Sequence, residues 1–413
     1  MAYLILDPCG EYPRHFVEFL ARTGRGGVAV FTSRARYALW RGKWSKILGD
    51  GILASYLAPG SPSVAALAAE IRQKFPRLEG VIPWDEETVL LGAELSEHLG
   101  LDWNPRRVIE RCRDKAVMKQ WLREKSSVRI NASAVVDNAE DALGFQRSVG
   151  RWPIVVKPTA GSGSENVFFA NSDDELLTSC QSVLLAGAGQ VLLEEFIGGH
   201  ELIVDGLVDR HSDLLVTDVW LYDRRDRPGR PNLFYQTLKV STHQKVFHAV
   251  TAYAAAVVEA LELRRAPIHM EVKVDDRGPC LIEVGARLSG GNVPLLVSKL
   301  HGRSIFELAA CHYLADLPLT GGDLDYARYD RLSARILHGI QDVELPRIRA
   351  VHGADAVRKL QSFERFGVLK PVGIRLPQSR DLDTASWEVH LLHENPDQLE
   401  LDCRRVREWV RYE

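Results

Sequence analysis

The sequence predicts an α/β chain built of several lobes, with a parallel sheet at its N-terminal end and mixed α+β lobes after it. Three observations carry this expectation. Residues 1–112 alternate β-branched runs with amphipathic stretches, the pattern of a parallel sheet covered by helices. A Gly- and Ser-rich loop, TAGSGSENV (159–167), follows directly on a β-branched run that ends near Lys157. Further on, PIHMEVKV (267–274) and CLIEVGARLSGG (280–291) flank the turn-like DDRGP (275–279) and read as a hairpin.

Taken in order, YLILD, VAVFT and GVIPWDE are the strands of the first sheet, with helices near 13–23, 63–75 and 87–99. Asp85 and Glu86 leave the last of these strands, where parallel sheets place ligand contacts. Capping the next helix is the alternative for them. Arg113-Asp114-Lys115 opens an amphipathic helix with Val117, Trp121 and Leu122 on its apolar side. WPIVVKP (152–158) is a strand, and the small residues after it let backbone N–H groups approach an anion while Lys157 adds a point charge. No Gly-Lys-Ser/Thr follows, so this is not a P-loop, and Asn166 interrupts any G-x-G-x-x-G. An ordinary hairpin connection would show the same composition.

VLLEEFIGGHELIVDGLV (191–208) gives a strand ending in Glu194-Glu195, a Gly-Gly turn, and a second strand opened by Glu201. YDRRDRPGRPNLF (222–234) is a mobile loop by composition and reads first as a solvated hairpin tip, with four arginines steering anionic substrates as the alternative. An apolar helix lies around 248–263. The tail holds a helix at 303–315, the short strands RLSARILHG and SWEVHLLHE, the second half-exposed, and a terminal helix. His390 and His393 precede Glu394 but do not form H-E-x-x-H, so a metal site is not expected there.

The hairpin carries the chemistry. Glu271 and Glu283 each stand among β-formers, and pairing the strands brings both carboxylates into one pocket. Two buried carboxylates repel unless a cation joins them, and hard oxygen ligands suit Mg²⁺. A surface hairpin with both Glu residues facing water is the alternative. His269, two residues before Glu271, shares its face and either lines the site or packs. Arg287 follows Glu283 by four residues, and Gly290 and Gly291 either turn the chain sharply or leave room for a substrate group.

In this order, five elements resemble the ATP-grasp superfamily: the Arg113-Asp114-Lys115 helix start, VVKP with its glycine loop, EEFIGGHE, HMEVK and EVGARLSGG. The match spans roughly residues 1–300, and EVGAR is most similar to L-amino-acid ligases of the bacilysin and carnosine-synthase type. The resemblance implies an ATP-grasp fold with an N-terminal pre-ATP-grasp domain (1–112), a small lobe with the glycine loop (113–195), a large lobe with the metal-binding hairpin (196–300) and a C-terminal α+β subdomain (301–413). It implies ATP and Mg²⁺ as cofactors, with Mn²⁺ as an alternative. Lys115 and Lys157 would contact phosphates under a loop that includes Gly161, Ser162, Gly163 and Ser164. The backbone of Glu195, Phe196 and Ile197 would recognise adenine with Glu194 nearby, and Glu201 would hold the ribose. Glu271 and Glu283 would hold metal, Lys157 and Arg287 would act in catalysis, and Glu86, His269, Gly290 and Gly291 would face substrate. One departure stands out: Gly285 occupies the place where the widespread pattern has a metal-ligating Asn.

The implied activity is ATP-dependent ligation of a carboxylate to an amine through an acyl phosphate, with amino acids as substrates. A purine-synthesis or carboxylase-type ligase, or a non-catalytic nucleotide-binding protein, would keep the same nucleotide residues. Hydrophobic residues are 46% and charged residues 26%, ordinary for a globular chain of 413 residues. A net charge of −3 with no Lys/Arg block argues against nucleic acid or an anionic membrane as partner. Six scattered cysteines without C-x-x-C fit reduced thiols in a cytoplasm, and a homodimer is allowed. MAYLILDPCG reads as a strand rather than a signal peptide, and no stretch is apolar enough to span a bilayer.

Overall fold

The computed structural model describes residues 2–55, 63–161, 166–187, 189–313, 324–382 and 384–413. Its first sheet holds β1 (Ala2–Leu6), β2 (Gly26–Phe31), β3 (Ile52–Ala54) and β4 (Leu78–Ile82), in the order β3-β2-β1-β4 and all parallel. Side chains alternate between its faces. Leu4, Leu6, Val28 and Val30 meet Leu67, Ile71 and Leu95 on one side. Tyr3, Ile5, Ala29 and Phe31 join Phe16, Leu20 and Trp44 on the other. The alternation seen in the sequence is thus a sheet buried on both faces.

One helix of this lobe, Arg34–Leu48, has no counterpart in the sequence pattern. Trp44 is its buried residue, and the rest of the helix is polar or only partly covered, so no apolar period marks it. Trp44 fixes it by donating from its indole nitrogen to the Pro8 carbonyl at 2.9 Å.

The second sheet is small and antiparallel: β5 (Ser133–Val136), β6 (Ile154–Pro158), β7 (Phe168–Ala170) and β8 (Val191–Glu195), ordered β5-β8-β6-β7. Helices Ala139–Val149 and Asp173–Leu185 back it through Ala142, Leu176, Cys180 and Val183.

The large sheet is antiparallel throughout. It contains β9 (His200–Val208), β10 (Leu214–Arg227), β11 (Arg230–Lys239), β12 (Ala266–Asp275), β13 (Gly278–Gly285), β14 (Ser333–His338), β16 (Phe363–Val368) and β17 (Trp387–His393). Their order is β13-β12-β9-β10-β11-β14-β17-β16, so strands from the tail extend the sheet that holds the hairpin. A separate ribbon pairs β15 (Val351–His352) with β18 (Arg411–Tyr412). One face of the large sheet packs Val204, Val219, Met270 and Val272 against helix Lys245–Leu261. The other face forms the floor of the site.

Three expectations need correction. The Arg-rich stretch 222–234 is a hairpin, as its first reading has it, but paired strands run through it to the turn at Pro228-Gly229 in place of a mobile loop. Arg224 lies 3.7 Å from the Phe234 ring centroid and Arg225 lies 3.5 Å from that of Tyr235, so stacked guanidinium planes take the place of apolar side chains. SWEVHLLHE is not half-exposed. Residues 387–391 are buried because β14 and β16 flank β17 and helix Pro396–Trp409 covers it. In helix Lys115–Lys125 it is Met118, Lys119 and Leu122 that face inward, while Val117 is exposed. The tail helix covers Ile305–Tyr313, and the rest of its expected span lies outside the described residues.

The Gly-Gly turn between β8 and β9 is asymmetric. A Cβ on Gly199, whose φ is +77°, would lie 2.0 Å from the Val274 carbonyl oxygen, whereas one on Gly198 would meet nothing within 4 Å. Gly199→Ala should therefore cost about 2 kcal/mol or more and lower the thermal midpoint, while Gly198→Ala should leave it nearly unchanged. Equal midpoints for the two variants would contradict this packing of the turn against β12.

Candidate active site

A cavity of about 870 Å³ lies between the small sheet and the large one. Its floor follows the period of two along each strand. Glu283 comes from β13, His269, Glu271 and Lys273 from β12, Glu201, Ile203 and Asp205 from β9, and Trp220, Tyr222 and Arg224 from β10. β11, β14 and β17 continue it with Phe234, Thr237, Ile336, His338 and Glu388.

Glu271 and Glu283 are direct cross-strand partners, as the hairpin reading requires. Burial first, then the Glu283 charge, pushes the Glu271 carboxyl from 4.5 up to about 7. Burial would raise Glu283 as well, but Lys115 outweighs it and holds that carboxylate below its ordinary value. The Lys115 Nζ lies 2.8 Å from Glu283 Oε2 and donates to the Gly161 carbonyl at 3.1 Å. Its helix starts at this point because Asp114 caps it, accepting from the backbone N–H groups of Ala116 and Val117. Gly161 stands at the exit of β6. Ser162, Gly163 and Ser164 lie outside the described residues.

Lys157 and Glu194 meet across the β6–β8 pair, Nζ to Oε2 at 2.9 Å. The other Glu194 oxygen lies 3.2 Å from Lys119 Nζ, and Asn131 donates to both Glu194 and the Glu195 carbonyl. Burial opposes ionisation of Glu194, but the two ammonium groups prevail and hold it at about 2. Burial in turn lowers the Lys119 pKa. Glu194 is thus the hub of a buried network. Lys119 and Asn131 escaped the sequence reading, although a lysine between Met118 and Leu122 on a buried stripe demands a carboxylate partner.

Phe196 makes an edge-to-face contact with Phe169 at 5.9 Å, and with Val155, Ile197 and Ile282 it gives the cavity an apolar slot beside Lys115 and Lys157. Glu195 faces outward to Arg151 and Arg277. Glu201 is held by Arg224 and, at 3.4 Å, by Lys273.

Arg287 donates from Nε to Glu86 Oε2 at 2.6 Å, and Arg113 lies 3.5 Å from the other Glu86 oxygen. Neither Asp85 nor Glu86 caps the next helix, whose N-cap is Thr88; Asp85 closes the turn before it, accepting from the Thr88 N–H at 2.9 Å. A Cβ at position 285 would meet Glu86 Oε2 at 3.0 Å, so Gly285 leaves space for a carboxylate reaching in from the first lobe. His269 is fixed through Nδ1 to Asp205 at 2.7 Å, and Asp205 outweighs burial to raise its pKa. Gly291 has φ +62°, which gives the sharp turn, and a Cβ on Gly290 would meet nothing within 4 Å, which gives the room.

These residues suit a nucleotide triphosphate with a divalent cation. Glu271 and Glu283 face each other with one of them driven towards its neutral form, and the Lys115 ammonium already stands at Glu283 as a cation. Among the described residues no group of three or more His, Cys, Asp or Glu could hold a metal alone. Phosphate oxygens and water would complete the shell, as Mg²⁺ commonly requires.

The two antiparallel sheets thus enclose one cavity lined by lysines and paired carboxylates. Residues 150–294 match the model of the ATP-grasp domain. It is 27% identical to dapdiamide A synthase of Enterobacter agglomerans over 46% of either chain. To the L-arginine-specific L-amino acid ligase of Bacillus subtilis it is 22% identical over 59% of either chain. The chain thus matches about half the length of these curated relatives. The fold is similar to that of an L-amino acid ligase from Bacillus licheniformis, with a TM-score of 0.77 at 18% identity, covering 100% of this chain and 98% of that one. Phosphoribosylglycinamide synthetase from Anaerococcus prevotii gives 0.68 at 15% identity, covering 100% and 99%.

The carboxylate pair makes a pH-dependent prediction for the metal-free protein. Glu271 has a folded pKa of about 7 against an ordinary 4.5, so folding favours its protonated form. That contribution is complete below about pH 4.5 and disappears as the pH rises through about 7. Glu271→Gln, which stays neutral, should melt a few degrees above the parent at pH 8, and the gap should shrink towards pH 5. Equal midpoints at pH 8 would mean that the two carboxylates are not forced together.

Proposed function

We propose that the protein is an ATP-dependent carboxylate–amine ligase that joins amino acids. The observation that carries this reading is the Glu271–Glu283 pair placed between Lys115, Lys157 and Arg287 in one cavity. A carboxylate oxygen of the donor attacks the γ-phosphorus, the bond to the β-phosphate oxygen breaks, and ADP departs, leaving an acyl phosphate. The amine then attacks the acyl carbon, phosphate leaves with the C–O electron pair, and the amine nitrogen loses a proton.

Such chemistry needs position and charge neutralisation rather than a protein nucleophile. Lys157, held straight by Glu194, and Lys115 would bind phosphates. Glu271 and Glu283 would hold Mg²⁺, which neutralises charge on the transferred group. Lys115, now paired with Glu283, would turn to the phosphates and leave Glu283 free to serve as a ligand. Arg287, anchored by Glu86, would stabilise the oxyanion of the tetrahedral intermediate. Phe196, Phe169 and Ile282 would enclose adenine, and Glu201 would bind ribose after releasing Arg224 or Lys273. The relatives named as L-arginine-specific L-amino acid ligase and dapdiamide A synthase support amino acids over the purine-synthesis precursors.

The test is release of ADP and phosphate across pairs of amino acids, with mass analysis of the product. ADP release should require the donor carboxylate, and AMP with pyrophosphate would replace this mechanism by adenylation. In Glu283→Gln, turnover should drop by at least about a hundredfold while the protein stays folded. Retained turnover would remove the metal assignment from the hairpin.

Gly290 offers a probe of substrate size, since it has open space and, unlike Gly291, no positive φ. Gly290→Trp should fill that space and change the ratio of kcat/KM for a large and a small amino acid by at least about tenfold, or 1.4 kcal/mol. An unchanged ratio in an active variant would place the side-chain pocket elsewhere.

A further inference from the structure

Glu388 has no place in the nucleotide chemistry described so far, yet it lines the same cavity. It stands on β17, separated from β12 by β9, β10, β11 and β14. Its residue is only 7% exposed, and burying a carboxylate is costly unless a partner offsets it. One oxygen, Oε1, has that partner in His390 Nε2 at 2.7 Å.

The other oxygen faces the cavity. Among the described residues no donor lies within hydrogen-bond distance of Oε2. His338 Nδ1 is 3.9 Å away, too far for a hydrogen bond. Burial also drives that imidazole down to about 4, so it is neutral and brings no charge. Burial works to raise the Glu388 pKa, but the hydrogen bond and charge of His390, with Arg365 behind it, bring it below the ordinary value, so the group is a carboxylate. The feature above Oε2 is Gly291, where an added Cβ would lie 3.3 Å from it. Any side chain pointing there would cover the oxygen, and glycine leaves it open.

A metal is not the natural occupant, because no group of three or more His, Cys, Asp or Glu among the described residues could hold one. Gly291 follows Arg287 by four residues on the loop that leaves β13, so this loop has a carboxylate-binding guanidinium at one end and an exposed carboxylate oxygen at the other. An amino acid presents the complementary pair of charges.

We propose that Glu388 is a substrate-binding residue that holds a protonated nitrogen of the donor amino acid while the donor carboxylate lies at Arg287. The inference rests on the ligase reading for the identity of the donor. The nitrogen is the α-ammonium or a side-chain ammonium, and the chemistry of recognition is the same for both.

Equilibrium binding separates this subsite from the ligase reading, because it needs no turnover. L-lysine, L-norleucine and hexanoate are titrated calorimetrically into the protein holding Mg²⁺ and a non-hydrolysable ATP analogue, and ADP release with ATP is measured alongside. The unaltered protein should bind lysine at least tenfold more tightly than hexanoate, and norleucine likewise where the recognised nitrogen is the α-ammonium. Glu388→Gln should remove that advantage while leaving affinity for hexanoate and the ATP analogue unchanged. Equal loss for lysine and norleucine assigns the α-ammonium, and loss for lysine alone assigns the side chain. Amines that bind no better than hexanoate, or amine affinities unaltered by Glu388→Gln, would overturn the proposal. Tight, Glu388-dependent amine binding without ADP release would sink the ligase reading and leave the subsite standing. Should Glu388→Gln fail to fold, Glu388→Asp keeps the charge but withdraws it by one methylene, and must weaken the amines selectively.

Discussion

The whole site is organised around two carboxylates that hydrogen bonding of the sheet forces to face each other. Glu271 and Glu283 have no freedom to separate, because their backbones are register partners at the edge of an eight-stranded sheet. Left alone, like charges at such spacing in a cavity would oppose folding. The chain answers with cations brought from other elements. Lys115 arrives from a helix start, and Lys157 from the small sheet adds its field at Glu283. The consequence is a cavity in which the lysines are held by protein carboxylates rather than by solvent. Any anion entering this cavity would meet lysines that are already desolvated and oriented, the condition under which charge stabilisation is strongest.

The same logic explains the Lys119–Glu194–Lys157 chain. A buried ion pair is poor evidence of stability, since desolvation of each partner offsets most of the attraction. Here one carboxylate serves two ammonium groups, and Asn131 ties it to the backbone of the segment joining the sheets. Lys119 also donates to the Leu281 carbonyl on β13. One side chain therefore connects the small sheet, the linker at Glu195 and the carboxylate hairpin. Its position fixes where Lys157 points relative to Glu283. The value of such a network lies in geometry rather than in kilocalories.

The sequence disclosed those parts whose physics is local. Strand alternation in residues 2–82, the Gly-Gly turn and the hairpin register all follow from periods and turn residues within a few positions. The Lys115, Lys157, Glu271, Glu283 and Arg287 side chains do line one cavity, because each sits in a short element of strong character. What stayed hidden depends on partners far away in the chain. Stacking of Arg224 on Phe234 makes a strand from a stretch whose composition suggests a loop. The burial of Glu388 comes from the flanking strands β14 and β16 and from the chain at Gly291, none of which is visible from WEVHLLHE itself. Trp44 buries a helix that otherwise carries no apolar stripe. Long-range covering of this kind leaves no period to read.

Gly285 shows how a departure from a pattern becomes intelligible only in three dimensions. From the sequence it subtracts a ligand. In the structure it adds a contact, since the missing side chain is what allows Glu86 to approach within hydrogen-bond distance of Arg287. Glu86 belongs to the lobe built on β1 to β4, and it is set in place by the turn that Asp85 and Thr88 close. That lobe is itself anchored to the large sheet, with Trp103 donating to the Arg265 carbonyl at 2.8 Å and Tyr12 to that of Ser289 at 3.0 Å. Arg287 is therefore oriented by a part of the chain some 200 residues away, across an interface that cannot slide without breaking these bonds. An Asn at 285 could serve a metal, but it would displace the carboxylate that aims the guanidinium. With Gly285 the chain has no side chain at that position, and the space it leaves is taken by the carboxylate that fixes Arg287.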